Sequence, residues 1–464
     1  MAREKGLKLV VLWFGTWKNG NSHYVPAWIK RDKRRFLWAK TADGTAIRSL
    51  SPVCTETKEA DKRAFTTLCR HISEVDAEQT VIGVQVENEP GLIGSPRDYS
   101  PEATALFTGP VPEEIEKFSK KSGTWEAVFG IDAAEFFSAY HIAKYIDEIA
   151  ESGKRYLNRV MYVNVWLGEM YAHIPGTSYP SGGAVTRTFS LWKALTPHID
   201  AVSPDIYLND YKTVDDLYKT YYSENNIFYI PESMPTPLGL TNAMRAVAEY
   251  NLTGIHVFGV DMLAALFAPG AASPDPNSDF GAIASMGNEV AGAFAILKNA
   301  KPLIEKYQGT GKLYAVGQYE DQASQYIDFG DYIGYIRFLN PKGIIFGRGG
   351  EENMDARHYK MMYPDYRAKG FIVYAGKGEF YLVGDAYRLM LYPKRDIVEL
   401  TSAIHSGEFL SERSQAYISV TEGIFTDAGY TPTIIRNGDE YDYGLWVTND
   451  IGVLKAQLDW QECD

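Results

Sequence analysis

The stretch TVIGVQVENEP, residues Thr80–Pro90, is the strongest indication of fold in this sequence. Its first half is a nearly unbroken apolar run with β-branched residues, which is typical of a strand buried on both faces of a parallel sheet. The run then ends in three polar residues and a proline. Because parallel α/β folds place catalytic groups at the C-terminal ends of such strands, the position predicts a functional carboxylate. The alternative is that Glu87 and Glu89 only mark where the strand reaches solvent.

Five further strands, each part of a β-then-α unit, are predicted around that stretch. They are Leu7–Leu12, Val160–Trp166, Ala201–Tyr207, Ile227–Glu232 and Gly254–Val260. The helices predicted between and after the six strands are Asp61–Val75, Ala133–Leu157, Phe189–Leu195, Val214–Tyr222, Asn242–Tyr250 and Asn288–Tyr307. We expect no β-hairpin between these units. A polar loop is expected at Thr16–Asn21 and a long loop at Gly91–Gly130.

Strands that alternate with helices predict a parallel sheet with helical crossovers. A doubly wound sheet would carry a Gly-rich phosphate turn after its first strand, and the segment LWFGTW at residues 12–17 is not such a turn. The sequence therefore favours a (β/α)8-type TIM barrel over residues 1–308, with six units visible.

Beyond residue 309 the pattern changes to short alternating segments separated by Gly-rich turns. These segments are Tyr332–Phe338, Phe371–Ala375, Glu379–Val383, Ala416–Val420 and Tyr443–Val447. Several short strands with turn residues between them predict an all-β, sandwich-like domain over residues 309–464.

Composition excludes several classes of function. The net charge of −13 argues against a nucleic-acid partner, and no run of 18 apolar residues exists to span a membrane. Cys54, Cys69 and Cys463 are too few for a disulfide framework, so we expect reduced thiols, although a Cys54–Cys69 pair stays open. The eight histidines lack metal-ligand spacing, and His256 is expected to lie in the core. We therefore expect neither a metal nor a cofactor.

Two carboxylates stand at the ends of predicted strands, Glu89 and Glu232, 232 − 89 = 143 residues apart. In one barrel both would point into the same bowl, where one could act as an acid and the other as a nucleophile or base in glycoside hydrolysis. Glu87 is a rival to Glu89, because residues i and i+2 share a strand face. The residues expected to contact a sugar are Trp13, Trp17, Asn88, Asn164, Trp166, Tyr207 and Phe258.

Several motifs resemble the β-galactosidases of glycoside hydrolase family 35, particularly a bacterial branch, and the related family 42. They are VENEP at 86–90, LWFGTWKN at 12–19, SPDIY at 203–207 and the Gly384-Asp385 pair. The resemblance implies that Glu89 is the general acid/base and Glu232 the nucleophile of a retaining enzyme, with carboxyl groups ~5–5.5 Å apart. It also implies that Asn88 contacts the 2-hydroxyl and that Tyr207 contacts the nucleophile.

The resemblance further implies that two βα units precede the strand Leu7–Leu12 in the family and are lacking here. A truncated gene, a partner chain that completes the barrel and an open sheet are the alternatives. Exposed apolar edges of an open sheet would favour association into a homo-oligomer. No signal peptide is visible, so the location is cytoplasmic at face value and otherwise unknown.

The expected function is hydrolysis of terminal β-galactosides by double displacement with two glutamates. The alternatives are the same mechanism on a β-glucoside, β-xyloside or arabinoside, and a catalytically impaired carbohydrate-binding protein.

Overall fold

The computed structural model describes residues 2–170, 172–265, 279–319, 322–339, 367–394, 417–441 and 444–460. The chain forms two compact units. Unit 1 contains Met1–Tyr207 and Asp215–Glu232, and unit 2 contains Leu208–Val214 and Ser233–Asp464. The division into two domains at residues 308 and 309 stays a prediction. No helix within the described ranges is long and apolar enough to cross a membrane.

Unit 1 alternates strands and helices. Its elements are β1 (Leu9–Lys18), α1 (Ala27–Arg31), β2 (Trp38–Lys40), β3 (Ala46–Leu50), α2 (Thr55–Val75), β4 (Val81–Asn88), α3 (Pro101–Thr108), α4 (Glu113–Ser119), α5 (Trp125–Phe129), α6 (Ala133–Lys154), β5 (Val160–Val165), α7 (Phe189–Leu195), β6 (Ala201–Pro204) and α8 (Tyr211–Tyr221), whose first residues count with unit 2.

Four of the predicted strands form one parallel sheet. Its order is β1-β4-β5-β6, so sheet neighbours follow the order of the chain and are joined by crossovers that contain α2, α6 and α7. This arrangement confirms a mixed α/β unit with a parallel sheet. The strand β1 extends to Lys18 and takes in part of the predicted loop at Thr16–Asn21.

The predicted fifth strand, Ile227–Glu232, is not a strand in the structure. The side chain of Asn226 explains why: its oxygen accepts the Val202 N–H (2.8 Å) and its nitrogen donates to the Val202 carbonyl (3.0 Å). The amide group thus occupies backbone positions of β6 that a fifth strand would pair with. Glu232 is nevertheless held beside β6, because its carbonyl accepts the Ile206 N–H at 2.9 Å.

The predicted sixth strand, Gly254–Val260, is also absent. Gly259 has a left-handed φ of +68° and α10 begins at Val260, so the turn and the helix end any extended run. His256, which the strand would have buried, is exposed, and the prediction of a core histidine is wrong. The described residues therefore contain four of the six parallel strands that the barrel prediction required.

Two further predictions for unit 1 are wrong. The antiparallel pair β2–β3 is a hairpin between β1 and α2, with Asp43-Gly44 in its loop and the Gly44 φ at +85°. The segment Gly91–Gly130 holds three short helices rather than one long loop. The hydroxyls of Ser100 and Thr124 accept backbone N–H groups at the starts of α3 and α5, and these caps stabilise helices too short for periodicity to predict.

The described residues of unit 2 combine three helices with strands. Its elements are α9 (Pro237–Glu249), α10 (Val260–Ala265), α11 (Asp279–Tyr307), β7 (Leu313–Gly317), β8 (Ser324–Asp328), β9 (Tyr332–Phe338), β10 (Lys369–Gly376), β11 (Glu379–Asp385), β12 (Tyr387–Pro393), β13 (Tyr417–Thr426), β14 (Gly429–Ile435), β15 (Leu445–Val447) and β16 (Val453–Leu458).

The strands of unit 2 form two antiparallel sheets, in the orders β14-β13-β16-β11-β10-β7 and β15-β12-β9-β8. One apolar core contains buried residues from both sheets, such as Ile372 of the first and Leu389 of the second. Two sheets that share one core are arranged as in a β-sandwich, in agreement with the prediction. Residues Ala416 and Tyr443 of the predicted strands lie outside the described residues, as does Cys463; Cys54 and Cys69 are free thiols.

Candidate active site

Three carboxylates meet in unit 1. Glu89 follows β4, Asp205 follows β6, and Glu232 lies beside the end of β6. One oxygen of each lies within 4.8 Å of an oxygen of the other two. Glu89 and Asp205 are buried, whereas Glu232 is partly exposed. The structure thus brings together the two glutamates selected from the sequence and adds a third acid.

The end of β4 does not continue as a regular strand. Glu87 and Glu89 both have left-handed backbones, with φ of +66° and +45°. Such a conformation is unfavourable for residues with a Cβ, and it disrupts the alternation of side chains along a strand. Glu87 consequently points to β1, where its carboxylate accepts the backbone N–H groups of Thr16 and Trp17. The structure does not bring Glu87 into the carboxylate cluster.

A tight turn after β1 supplies two contacts to the cluster. Asn19 and Gly20 have positive φ values of 53° and 66° between the paired residues Lys18 and Asn21, as a type I′ turn requires. Asn19 donates its side-chain N–H to Glu89 Oε2 at 2.6 Å. The ammonium of Lys18 donates to the side-chain oxygen of Asn88 at 2.9 Å.

Asn164 of β5 connects the three acids. Its side-chain oxygen accepts the backbone N–H of Glu89 (2.8 Å), and its nitrogen donates to Asp205 Oδ2 (2.8 Å) and lies 3.5 Å from Glu232 Oε1. Asn164 is fully buried. Its hydrogen-bonding capacity is used within the protein, where it orients the acids, and its predicted contact with a sugar stays a prediction.

Glu232 is oriented from both sides. The Tyr207 hydroxyl donates to Oε2 at 2.7 Å, and the Asn88 amide lies 3.5 Å from Oε1. The contact between Tyr207 and Glu232 that the family resemblance implied is present.

Two members of the cluster, Glu89 and Asp205, have raised pKa values. Burial, followed by the nearby charge of Glu232, raises the pKa of Glu89 from 4.5 to about 7, while the charge of Lys18 lowers it. Burial and the two glutamates raise the pKa of Asp205 well above its usual range. Within the described structure Asp205 Oδ1 has no hydrogen-bond partner. Burial therefore favours the protonated forms of Glu89 and Asp205.

Two of the aromatic residues predicted to bind sugar lie elsewhere. The indole N–H of Trp13 donates to Asp61 of α2 (2.8 Å), and its ring packs edge-on against Phe65 of the same helix. Trp17 is 1% exposed and packs against Tyr145 of α6. Both side chains are thus part of the packing between the sheet and its helices, and their predicted contact with a sugar stays a prediction.

Trp166 and Phe258 have different outcomes. Trp166 follows β5 and is partly exposed, and its indole N–H has no hydrogen-bond partner among the described residues. It therefore remains a candidate for stacking on a ligand. Phe258 belongs to unit 2 and its predicted role stays a prediction.

Asp205, Lys18 and Asn19 were not among the site residues predicted from the sequence. The Asn19-Gly20 pair was a usable signal, because Asn-Gly is the preferred sequence of a type I′ turn. Glycine is also required there by space, since a Cβ at Gly20 would lie 2.7 Å from the side chain of Ile93. Asp205 stands at a strand end just as Glu89 does, and its position was the available signal.

The three carboxylates are also, within the described part of the chain, the group whose spacing would admit a cation. A cation would occupy the same oxygen atoms that acid and nucleophilic catalysis require, so the two uses exclude each other.

Comparisons with known proteins add little to this site. A family model described as a domain of unknown function (DUF5597) matches residues 290–448, and no curated protein matches the chain. Solved structures that match include a β-galactosidase from the psychrophilic Marinomonas ef1, with 13% identity, a TM-score of 0.45 and coverage of 66% of this chain and 52% of that one.

Two other matches are similar in quality. A β-galactosidase from Bacillus circulans sp. alkalophilus has 12% identity, a TM-score of 0.36 and coverage of 59% of this chain and 45% of that one. The catalytic domain of a β-amylase from Paenibacillus polymyxa has 12% identity, a TM-score of 0.39 and coverage of 55% and 77%. The chain thus spans about half the length of the two β-galactosidases, and likenesses this weak carry no argument about activity.

Proposed function

We propose that this protein is a retaining glycoside hydrolase that cleaves terminal β-galactosides. The observation that carries the proposal is the pair Glu89 and Glu232, which have oxygen atoms within 4.8 Å of each other. Retaining enzymes hold their two carboxyl groups ~5–5.5 Å apart, whereas inverting enzymes need roughly 6.5–9.5 Å to admit a water. Oxygen atoms this close support the shorter of the two carboxyl separations and hence direct attack by one carboxylate. The choice of galactose rests on the family resemblance of the motifs.

Glu89 is the general acid/base in this mechanism. Its pKa of about 7 lets it hold a proton at neutral pH and donate it to the glycosidic oxygen as the bond to the anomeric carbon breaks. The charge of Glu232 contributes to that raised pKa. When Glu232 forms the glycosyl ester, its charge is lost and the pKa of Glu89 falls. Glu89 is then ionised and takes the proton from the water that hydrolyses the ester.

Glu232 is the nucleophile. The Tyr207 hydroxyl holds Oε2 at 2.7 Å, while the amides of Asn88 and Asn164 lie 3.5 Å from Oε1. The short hydrogen bond fixes the orientation of the carboxylate, and the longer contacts leave Oε1 as the more available oxygen for attack on the anomeric carbon. The partly exposed Trp166 is a candidate for stacking on the sugar.

We also propose that the four-stranded parallel sheet belongs to an α/β barrel. The support is the sheet order, which follows the chain, together with the position of all three acids at or beside the C-terminal ends of strands.

The decisive experiment measures hydrolysis of a panel of p-nitrophenyl β-glycosides by the wild type and by Glu232→Ala, with and without azide. We expect the wild type to prefer the galactoside and Glu232→Ala to be inactive until azide restores turnover. The rescued product should be the α-glycosyl azide, of inverted configuration, because azide takes the place of the missing nucleophile. Glu224→Ala is the matched control, since Glu224 is exposed and precedes the same extended segment.

Each outcome decides between the alternatives. Preferred cleavage of another β-glycoside would keep the mechanism and change the sugar. Azide rescue that yields the β-glycosyl azide, or no rescue of an otherwise active enzyme, would contradict Glu232 as nucleophile. A wild type that binds galactose in calorimetry but cleaves no member of the panel would establish the carbohydrate-binding alternative.

A further inference from the structure

We propose that Glu87 is a positioning residue for Glu89. Its side chain fixes the end of β1 so that Lys18 contacts Asn88 and Asn19 contacts Glu89. The inference rests on the proposed function for its catalytic consequence. Its structural content, the control of the ionisation of Glu89, is measurable without any turnover.

The starting observation is an irregular register between β1 and β4. Trp13 pairs with Val86, and the next pair is Lys18 with Asn88. Four residues of β1 therefore face one residue of β4, Glu87. A bulge of this size removes backbone N–H groups of β1 from the ladder, and buried N–H groups without partners are costly.

The carboxylate of Glu87 takes over those N–H groups. The Thr16 N–H lies 2.9 Å from both oxygens, and the Trp17 N–H donates to Oε2 at 2.6 Å. Glu87 is 0% exposed and has a left-handed φ of +66°. A non-glycine residue persists in that conformation where the surroundings hold it, and the strain is concentrated at functional sites. The side chain thus acts as a substitute strand partner for the bulge.

The two residues that follow the bulge are the ones that contact the site. Lys18 donates to Asn88 at 2.9 Å and Asn19 donates to Glu89 Oε2 at 2.6 Å. Three consecutive residues, Glu87, Asn88 and Glu89, therefore accept hydrogen bonds from the end of β1 and from the residue that follows it. Because Glu87 anchors the first of these contacts, it sets the position of the other two.

The consequence for Glu89 has a definite sign. The charge of Lys18 lowers the pKa of Glu89, and the hydrogen bond from Asn19 also favours the ionised carboxylate. If the end of β1 is displaced, both contacts weaken and the pKa of Glu89 rises.

Variants of Glu87 can separate its position from its acidity. Burial and the nearby Asp61 raise the pKa of Glu87 well above its usual range. Glu87→Asp keeps the acid but shortens the side chain, so it cannot reach both N–H groups without moving the bulge. Glu87→Gln cannot ionise but keeps the length, and its oxygen in the place of Oε2 can accept both N–H groups. Asp76→Ala is the matched control, because Asp76 accepts the N–H groups of Thr80 and Val81 (3.0 and 2.8 Å) at the opposite end of β4.

The first readout is the pH profile of kcat/KM. The second is the titration of Glu89, monitored by 13C NMR of protein labelled at glutamate Cδ, with Glu89→Gln as the assignment control. We expect Glu87→Asp to move the basic limb and the Glu89 titration up by about half a unit or more and to lower kcat/KM by about 10- to 100-fold. Glu87→Gln should retain the wild-type titration, and Asp76→Ala should lower stability without moving either readout.

The opposite pattern would overturn the inference. If Glu87→Gln shifts the titration and Glu87→Asp does not, Glu87 acts through its acidity and not through its position. If no Glu87 variant that folds differs from Asp76→Ala, Glu87 has only a structural role. If the wild type cleaves no glycoside, the proposed function fails, while the Glu89 titration still decides the role of Glu87.

Discussion

Replacing Glu89 with glutamine should stabilise unit 1 at alkaline pH, although it removes the proposed acid/base. Glu89 is buried beside two other carboxyl groups, and its pKa is raised from 4.5 to about 7. A carboxyl group with a raised pKa in the folded state favours folding while it is protonated. That contribution decreases as the pH rises from the unfolded pKa near 4.5 and is fully lost above the folded pKa near 7.

The magnitude follows from the shift. Each pKa unit corresponds to about 1.4 kcal/mol. The raised pKa of Glu89 therefore lowers the free energy of unfolding by at most about 3 kcal/mol at pH 8 and by about 1 kcal/mol at pH 5. Glutamine does not ionise, and its oxygen can still accept the Asn19 N–H. We therefore expect Glu89→Gln to be more stable than the wild type by an amount that grows by about 2 kcal/mol between pH 5 and pH 8.

The assay is urea unfolding from pH 5 to pH 9, followed by tryptophan fluorescence. This signal reports mainly on unit 1, because all tryptophans except Trp446 and Trp460 lie there. Glu102→Gln is the control, an exposed change of the same kind on α3. A stability difference for Glu89→Gln that stays constant with pH, or a variant less stable than the wild type at pH 8, would contradict a raised pKa of Glu89 in the folded state.

Three further predictions concern the proposed reaction. Tyr207→Phe removes the 2.7 Å hydrogen bond to Glu232 Oε2, so kcat should fall by about 100-fold with little change in KM; an unchanged kcat would show that this bond does not orient the nucleophile. Lys18→Met should move the basic limb of the kcat/KM profile to higher pH, because the charge of Lys18 lowers the pKa of Glu89; a downward shift would contradict that sign. Treatment with EDTA should leave hydrolysis unchanged, since the proposed mechanism uses the carboxylates without a metal, and a loss of activity that Mn²⁺ or Ca²⁺ restores would instead favour a cation among Glu89, Asp205 and Glu232.

A long apolar run predicted a strand correctly where its backbone partners were free to pair. The prediction failed where a side chain from another segment had taken those partners. The run Val81–Val86 predicts β4 because its composition suits a strand with both faces buried. The extended segment Ile227–Glu232 has a similar composition but is not a strand, because the Asn226 side chain occupies the backbone groups of Val202. No pattern within one segment reveals that a distant side chain has replaced a backbone partner.

The helices show the same limit. The periodic apolar residues of α6 were sufficient to predict it, whereas α3 and α5 depend on the caps Ser100 and Thr124 and are too short to show a period. Helical periodicity is a property of several turns, and a cap is a single residue whose effect depends on the fold around it.

The sequence alone determined which acids to consider. Glu89 and Glu232 were selected because each ends an apolar run, and the structure places their oxygens within 4.8 Å although 143 residues separate them. Only the tertiary structure decided the roles of their neighbours. The bulge in β1 places Trp17 against Tyr145 of α6 and leaves backbone N–H groups that Glu87 accepts, whereas Trp13, which precedes the bulge, contacts α2. Strand composition depends on local burial, but the direction of a side chain beyond a bulge depends on the register between two strands, which is set by contacts distant in sequence.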